Sequence, residues 1–163
     1  MVEEAPPILI VGTGAMACLF AARLSAAGMR IVMLGSWSEG LRALRQYGVR
    51  LAEPGQEEQA YPVHAIDTPA SCPDILHALV LVKSWQTGRA ARQLTGNWEK
   101  LAQELGAERV ALGTTTYGAT LLGPGKVLPA GEGTIILGFH PKLQPLAEVL
   151  KSAGFEVETI SDP

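Results

Sequence analysis

Short, wholly apolar runs alternate along the chain with longer segments whose apolar positions recur at helical spacing. Ile8–Val11 is apolar throughout, the pattern of a strand buried on both faces of a parallel sheet. After Gly12-Thr13-Gly14, residues Met16, Leu19, Phe20 and Leu24 share one helical face, and Gly28 is placed to end that helix. Arg30–Leu34 predicts a second strand. Ser38–Tyr47 predicts a second helix, with Leu41 and Leu44 inward and Gly48 as terminator. Val49–Ala65 reads as two short strands around a polar Pro-Gly turn, and Ile75–Val82 as another buried strand.

The alternation then breaks. No apolar run of strand length occurs between Gln86 and Glu108. Thr87–Leu94 predicts a weak helix, and Trp98, Leu101, Ala102 and Leu105 mark an amphipathic one with Asn97 placed as its N-cap. Arg109–Thr116 restores a strand. KVLPAGEGTIILG predicts a hairpin turning at Gly131-Glu132-Gly133, Leu143–Ala153 a helix closed by Gly154, and Phe155–Ile160 a final strand. This order predicts an α/β chain: a Rossmann-type, doubly wound, mostly parallel sheet with right-handed connections and a β-hairpin added near the C-terminus.

Composition narrows the classes. At 163 residues, 47% hydrophobic and 18% charged, the chain suits one globular domain. A net charge of −3 gives no electrostatic reason to expect nucleic acid or an anionic membrane as partner. No apolar stretch reaches the roughly 20 residues that span a bilayer, and MVEEAPP lacks the basic start of a signal peptide. Cys18 and Cys72 lack metal-ligand spacing, and Cys18 falls on an apolar helix as a core residue would. A cytoplasmic setting is expected.

The candidate chemistry starts at Gly12-x-Gly14-x-x-Ala17, which fits the dinucleotide fingerprint and stands between a strand and a helix, the context the fingerprint requires. Gly12 permits the tight turn, Gly14 lets backbone approach a pyrophosphate, and Ala17 lets helix and sheet pack closely. Thr13, Ala15 and Met16 complete the segment whose N–H groups and helix dipole would attract phosphate. The competing reading is a tight β–α turn with no ligand. Beyond the second strand, Leu34-Gly35-Ser36-Trp37-Ser38 carries no carboxylate before Glu39, so a 2′-phosphate would meet no repulsion. Ser36, Ser38 or Arg42 could bond it, which favours NADP over NAD, although Ser38 also suits a plain helix cap. His64, His77 and His140 share no ligand spacing, His77 reads as structural, and Trp37, Trp85 and Trp98 read as packing residues.

ILIVGTGAMACLFAARLSAAG, LVKSWQT, ERVALGTTTYGA, PGKVLPAGEGTIILG and LAEVLKSAGFEVETISDP together resemble ketopantoate reductase (2-dehydropantoate 2-reductase), in the family's order and over nearly the whole chain. The resemblance covers the family's N-terminal domain. It implies NADPH-dependent reduction of 2-dehydropantoate to pantoate, on the way to pantothenate and coenzyme A. By position, Gly12, Gly14 and Ala17 match the phosphate-binding turn. Lys83 and Gln86 match a lysine and a glutamine at the edge shared by cofactor and substrate, and Ala119 matches a residue whose backbone touches the cofactor. Two positions depart from the family: Ser36-Trp37 stands where an arginine is frequent, and Pro129 where a histidine is.

The same resemblance implies losses. A helix end, a strand and an asparagine-bearing loop of the family would fall near Thr95-Gly96-Asn97, so an internal deletion is expected there, and Asn97 is not the counterpart of that asparagine. The family's helical C-terminal domain, with its general acid and most substrate contacts, is expected to lie outside residues 1–163. No catalytic residue or metal ligand is therefore assigned. A small 2-oxo acid would be substrate only once that domain completes the cleft, and turnover by this chain alone is expected to be slow or nil. A non-catalytic NAD(P)-binding sensor or regulatory module is the alternative. A sheet edge left uncovered would favour a homodimer.

Overall fold

The computed structural model describes residues 6–81, 102–103 and 105–161. Strands β1 (Ile8–Val11), β2 (Ile31–Leu34), β5 (His64–Ile66) and β6 (His77–Val80) form a parallel sheet in the order β5-β2-β1-β6. Between β1 and β2 runs α1 (Ala15–Ala26), and after β2 comes α2 (Ser38–Tyr47). Helix α1 is Ala-rich and buried along most of its length, from Ala17 to Leu24. The small side chains let it lie close to strands on more than one side. Gly28, at φ +86°, ends its turn, with Met29 N–H donating to Leu24 O (3.0 Å).

The remaining strands form two further sheets. β3 (Val49–Leu51), β4 (Gln59–Tyr61), β8 (Ala119–Gly123) and β9 (Lys126–Pro129) are ordered β4-β3-β9-β8. β7 (Gly113–Thr115), β10 (Thr134–Gly138) and β11 (Glu156–Ile160) are ordered β11-β10-β7, with α3 (Gln144–Ser152) leading into β11. One hydrophobic core runs through α1, α2, α3 and all three sheets, from Ile10 and Leu19 through Leu44 and Val127 to Leu150. The other face of the parallel sheet carries a smaller cluster of Leu9, Val32 and Ile66.

The α/β class and the parallel core sheet are as the pattern predicts; several details differ. The expected hairpin over residues 126–138 does not form. β9 pairs with β8 and β3, whereas β10 pairs with β11 and β7. The hairpin near the C-terminus is β8–β9, turning at Pro124-Gly125, where Gly125 has φ +68°. The reason lies at Gly133, where a side chain would collide with the backbone of Thr116 and Tyr117. The β7–β8 connection crosses there, and Thr116 N–H donates to Thr134 O (3.0 Å). Gly131, at φ +95°, lets the chain change sheets.

Residues 49–65 hold a third strand start, because Pro62 ends β4 and the chain turns back to add β5 beside β2. The strand expected at 109–116 is shortened, since Ala107–Arg109 forms a 3-10 turn. Ser38 is the first residue of α2 rather than its cap; Trp37 caps it through its carbonyl, which accepts from Leu41 N–H (2.9 Å). The expected helices at 87–94 and 97–105, and the expected deletion at 95–97, fall wholly or mostly outside the described residues. No described helix is long and apolar enough to cross a membrane.

Candidate functional site

Strand order reverses at β1, because the chain runs from β1 to β2 on one side and later returns to β6 on the other. Ligands of open α/β sheets bind at the carboxyl ends of the strands beside such a point. Gly12 stands there, directly after β1, with its N–H donating to Leu34 O (2.8 Å) at the end of β2. Its φ is +131°, and a side chain would run into the carbonyl of Leu81, the residue that follows β6. Leu81 N–H in turn donates to Val11 O (2.9 Å). The turn is thus wedged between the ends of β1, β2 and β6.

Gly14 differs. It caps α1 in an ordinary extended conformation (φ −81°, ψ −175°), and a methyl added there meets no described residue within 4 Å. No side chain caps the helix and no acidic residue occupies its first turn, so the N–H groups of Ala15, Met16 and Ala17 start α1 without a side-chain acceptor or a negative neighbour. Ala17 is fully buried and touches the position a Gly12 side chain would take (3.4 Å). Thr13 is the one buried polar residue among those described. Its side chain abuts Gly35, where a methyl would lie 2.6 Å from Thr13 Cγ2. Cys18 Sγ donates to Thr13 O (3.7 Å), and burial pushes its thiol up to about 12. Cys18 is accordingly the core residue its helix position predicts.

The segment after β2 begins at Gly35, whose N–H donates to Ile66 O (3.2 Å) at the end of β5. Ser36, Ser38 and Arg42 are exposed. Asp67, the residue after β5, pairs with Arg45 (3.2 Å), and Arg45 Nε also donates to Ala65 O (2.9 Å). Ala119 opens β8, half-buried and paired with Pro129, in the sheet that packs on α1. Lys83 and Gln86 lie outside the described residues, as do Trp85 and Trp98. His77, on β6, reaches the 3-10 turn Pro141–Leu143 that precedes α3, its Nε2 being 3.2 Å from Lys142 O.

The residues that sequence patterns did not single out are glycines: Gly35, pressed on Thr13, and Gly40, pressed on Trp37. A glycine directly after a strand is the sign that could have marked the first. Two cavities formed by described residues lie away from the glycine turn. One of about 260 Å³ is lined by Arg23, Glu53 and Tyr61, and one of about 530 Å³ by Phe139, His140 and Ile160. No metal-binding cluster occurs among the described residues.

The parallel sheet, its switch point and the glycine turn define a Rossmann-type α/β domain. Residues 8–98 match the family ApbA, ketopantoate reductase PanE/ApbA, and the chain belongs to that family. A curated relative, 2-dehydropantoate 2-reductase of Halobacterium salinarum, is 29% identical over 177 residues, covering 96% of this chain and 58% of the relative. Among solved structures, 2-dehydropantoate 2-reductase from Porphyromonas gingivalis W83 aligns with a TM-score of 0.81 at 19% identity, over 98% of this chain and 65% of that one. D-mandelate dehydrogenase with NADH and anilino(oxo)acetate aligns with a TM-score of 0.73 at 20% identity, over 95% of this chain and 57% of that one. These structural likenesses establish the fold. The chain spans little more than half the length of the curated relatives it matches.

Proposed function

We propose that this chain holds NADPH and, joined to a helical substrate-binding domain, serves the reduction of 2-dehydropantoate to pantoate. The observation that carries the reading is the contrast within the glycine turn. Gly12 is required by the protein itself, since its φ is +131° and Leu81 O leaves no room. Gly14 is required by nothing among the described residues: its backbone is ordinary and its side-chain direction meets none of them. A ligand backed closely against the start of α1 supplies the missing reason for glycine. Ala15, Met16 and Ala17 would give N–H groups to a pyrophosphate, with Thr13 bracing the turn against Gly35 and Ala119 offering backbone. Ser36, with Arg42 on the next helix, would meet a 2′-phosphate on a segment that carries no carboxylate before Glu39.

When bound, the nicotinamide supplies a hydride. Lys83, three residues after β6 in the sequence, would hold the substrate's carboxylate, and Gln86 would orient the edge it shares with the cofactor. The developing alkoxide also needs a proton and charge stabilisation, which we assign to a domain outside residues 1–163. The alignment with the Halobacterium relative runs over 177 residues against 163 in this chain, so some of the relative's residues have no counterpart here, and we propose that they fall near 95–97. The test is to mix the chain with NADPH and 2-dehydropantoate and follow nicotinamide absorbance and cofactor binding together. Binding with little or no turnover is expected. Brisk turnover would contradict the incomplete-enzyme reading, and absence of binding would contradict the whole assignment.

A further inference from the structure

Trp37 has both its backbone and its ring fixed by helix α2. Its carbonyl is committed to α2, accepting from Leu41 N–H (2.9 Å), so the backbone is fixed. Its benzo ring sits on Gly40, a buried glycine within the first turn of α2. A methyl at Gly40 would collide with ring atoms Cε3, Cδ2 and Cζ3, so the helix carries a glycine there to seat the indole. Yet the residue remains 38% exposed. A tryptophan that served only packing would gain by burying that surface.

Its neighbours lie at the carboxyl ends of the strands. Gly35, held to Thr13 on one side and to Ile66 O on the other (3.2 Å), brings the start of the Ser36–Trp37 segment beside both the glycine turn and the end of β5. In open parallel sheets the adenosine half of a dinucleotide lies across the end of the second strand. Asp67, the residue after β5, is paired with Arg45 (3.2 Å).

We infer that Trp37 is the adenine-stacking residue, with Gly40 as the residue that positions its ring. The inference rests on the proposed dinucleotide site and specifies its adenine subsite. The indole supplies a flat, polarisable face for the base, and stacking of this kind tolerates a change of base better than hydrogen bonding does.

The test uses calorimetric titration of the whole chain with NADPH, with 2′,5′-ADP and with reduced nicotinamide mononucleotide, which lacks adenosine. Trp37→Ala is expected to weaken NADPH and 2′,5′-ADP by about ten-fold, with Trp37→Phe recovering part of the loss. Reduced nicotinamide mononucleotide should bind wild type and variant alike. Gly40→Ala, which keeps the indole but displaces it, should weaken the adenosine ligands too, and thermal melts run in parallel confirm that each variant folds. If wild type binds NADPH and Trp37→Ala binds it within two-fold of wild type, the stacking role is overturned while the cofactor site stands. If wild type binds no dinucleotide, the cofactor reading falls and this inference falls with it.

Discussion

Gly12 and Gly14 are separated by one residue, and the described residues constrain only the first, which makes the pair separable by experiment. Gly12→Ala would place a Cβ in the left-handed region and against Leu81 O. It should cost about 2 kcal/mol or more of stability. Gly14→Ala meets open space in an ordinary conformation and only trades one weak cap for another. It should change stability by no more than about 1 kcal/mol while reducing NADPH affinity. Urea denaturation and cofactor titration of the two variants give the check, and equal stability losses would contradict it. The fingerprint was readable in the sequence because it is local: a strand, a glycine turn and a helix within one stretch. Gly35 and Gly40 were not, because each is a glycine on account of one neighbouring side chain, Thr13 and Trp37 respectively.

At the scale of elements, α1 joins the sheets through an aromatic cluster. Phe20 stacks on Phe155 at 4.5 Å, Tyr117 meets Phe155 edge-on at 5.2 Å, and the Arg23 guanidinium lies over both Phe155 and Tyr117 (5.1 and 5.3 Å). Tyr117 Oη also accepts from Glu156 N–H (2.9 Å) at the start of β11. Phe155→Ala should therefore cost about 3–5 kcal/mol and Tyr117→Phe about 1 kcal/mol, both read from denaturation midpoints. A surface-like loss of a few tenths at Phe155 would show that the cluster does not hold α1 to β11.

A second link joins β9 to the loop before β4. Glu58 lies between Lys126 and Arg50, and the hydrogen bond from Lys126, chiefly, holds its carboxyl below the ordinary range. The stability this gives is present above the carboxyl's unfolded pKa and is lost as pH falls through the lowered folded value. Lys126→Met should raise the Glu58 pKa in an NMR titration, and an unchanged value would refute the coupling. The elements themselves follow their sequence patterns closely: α1, α2 and α3 begin and end within a residue or so of their glycine and polar boundaries. Strand partners do not follow from pattern. Apolar alternation over 126–138 fits a hairpin equally well whether β9 faces β10 or, as it does, β3 and β8. What decides is the crossing at Gly133, a contact between residues distant in sequence.

At the scale of the molecule, the described residues form a nucleotide-fold core with its glycine turn at the strand switch point, in a chain that spans little more than half of its curated relatives. The binding half of the chemistry is expected to work without the rest, because the turn, the start of α1 and the Ser36–Trp37 segment all belong to that core. Calorimetric titration of the intact chain with NADPH, and then with NADH, tests this most directly. One site per chain with NADPH tighter than NADH is the predicted result; no saturable heat with either dinucleotide would contradict it.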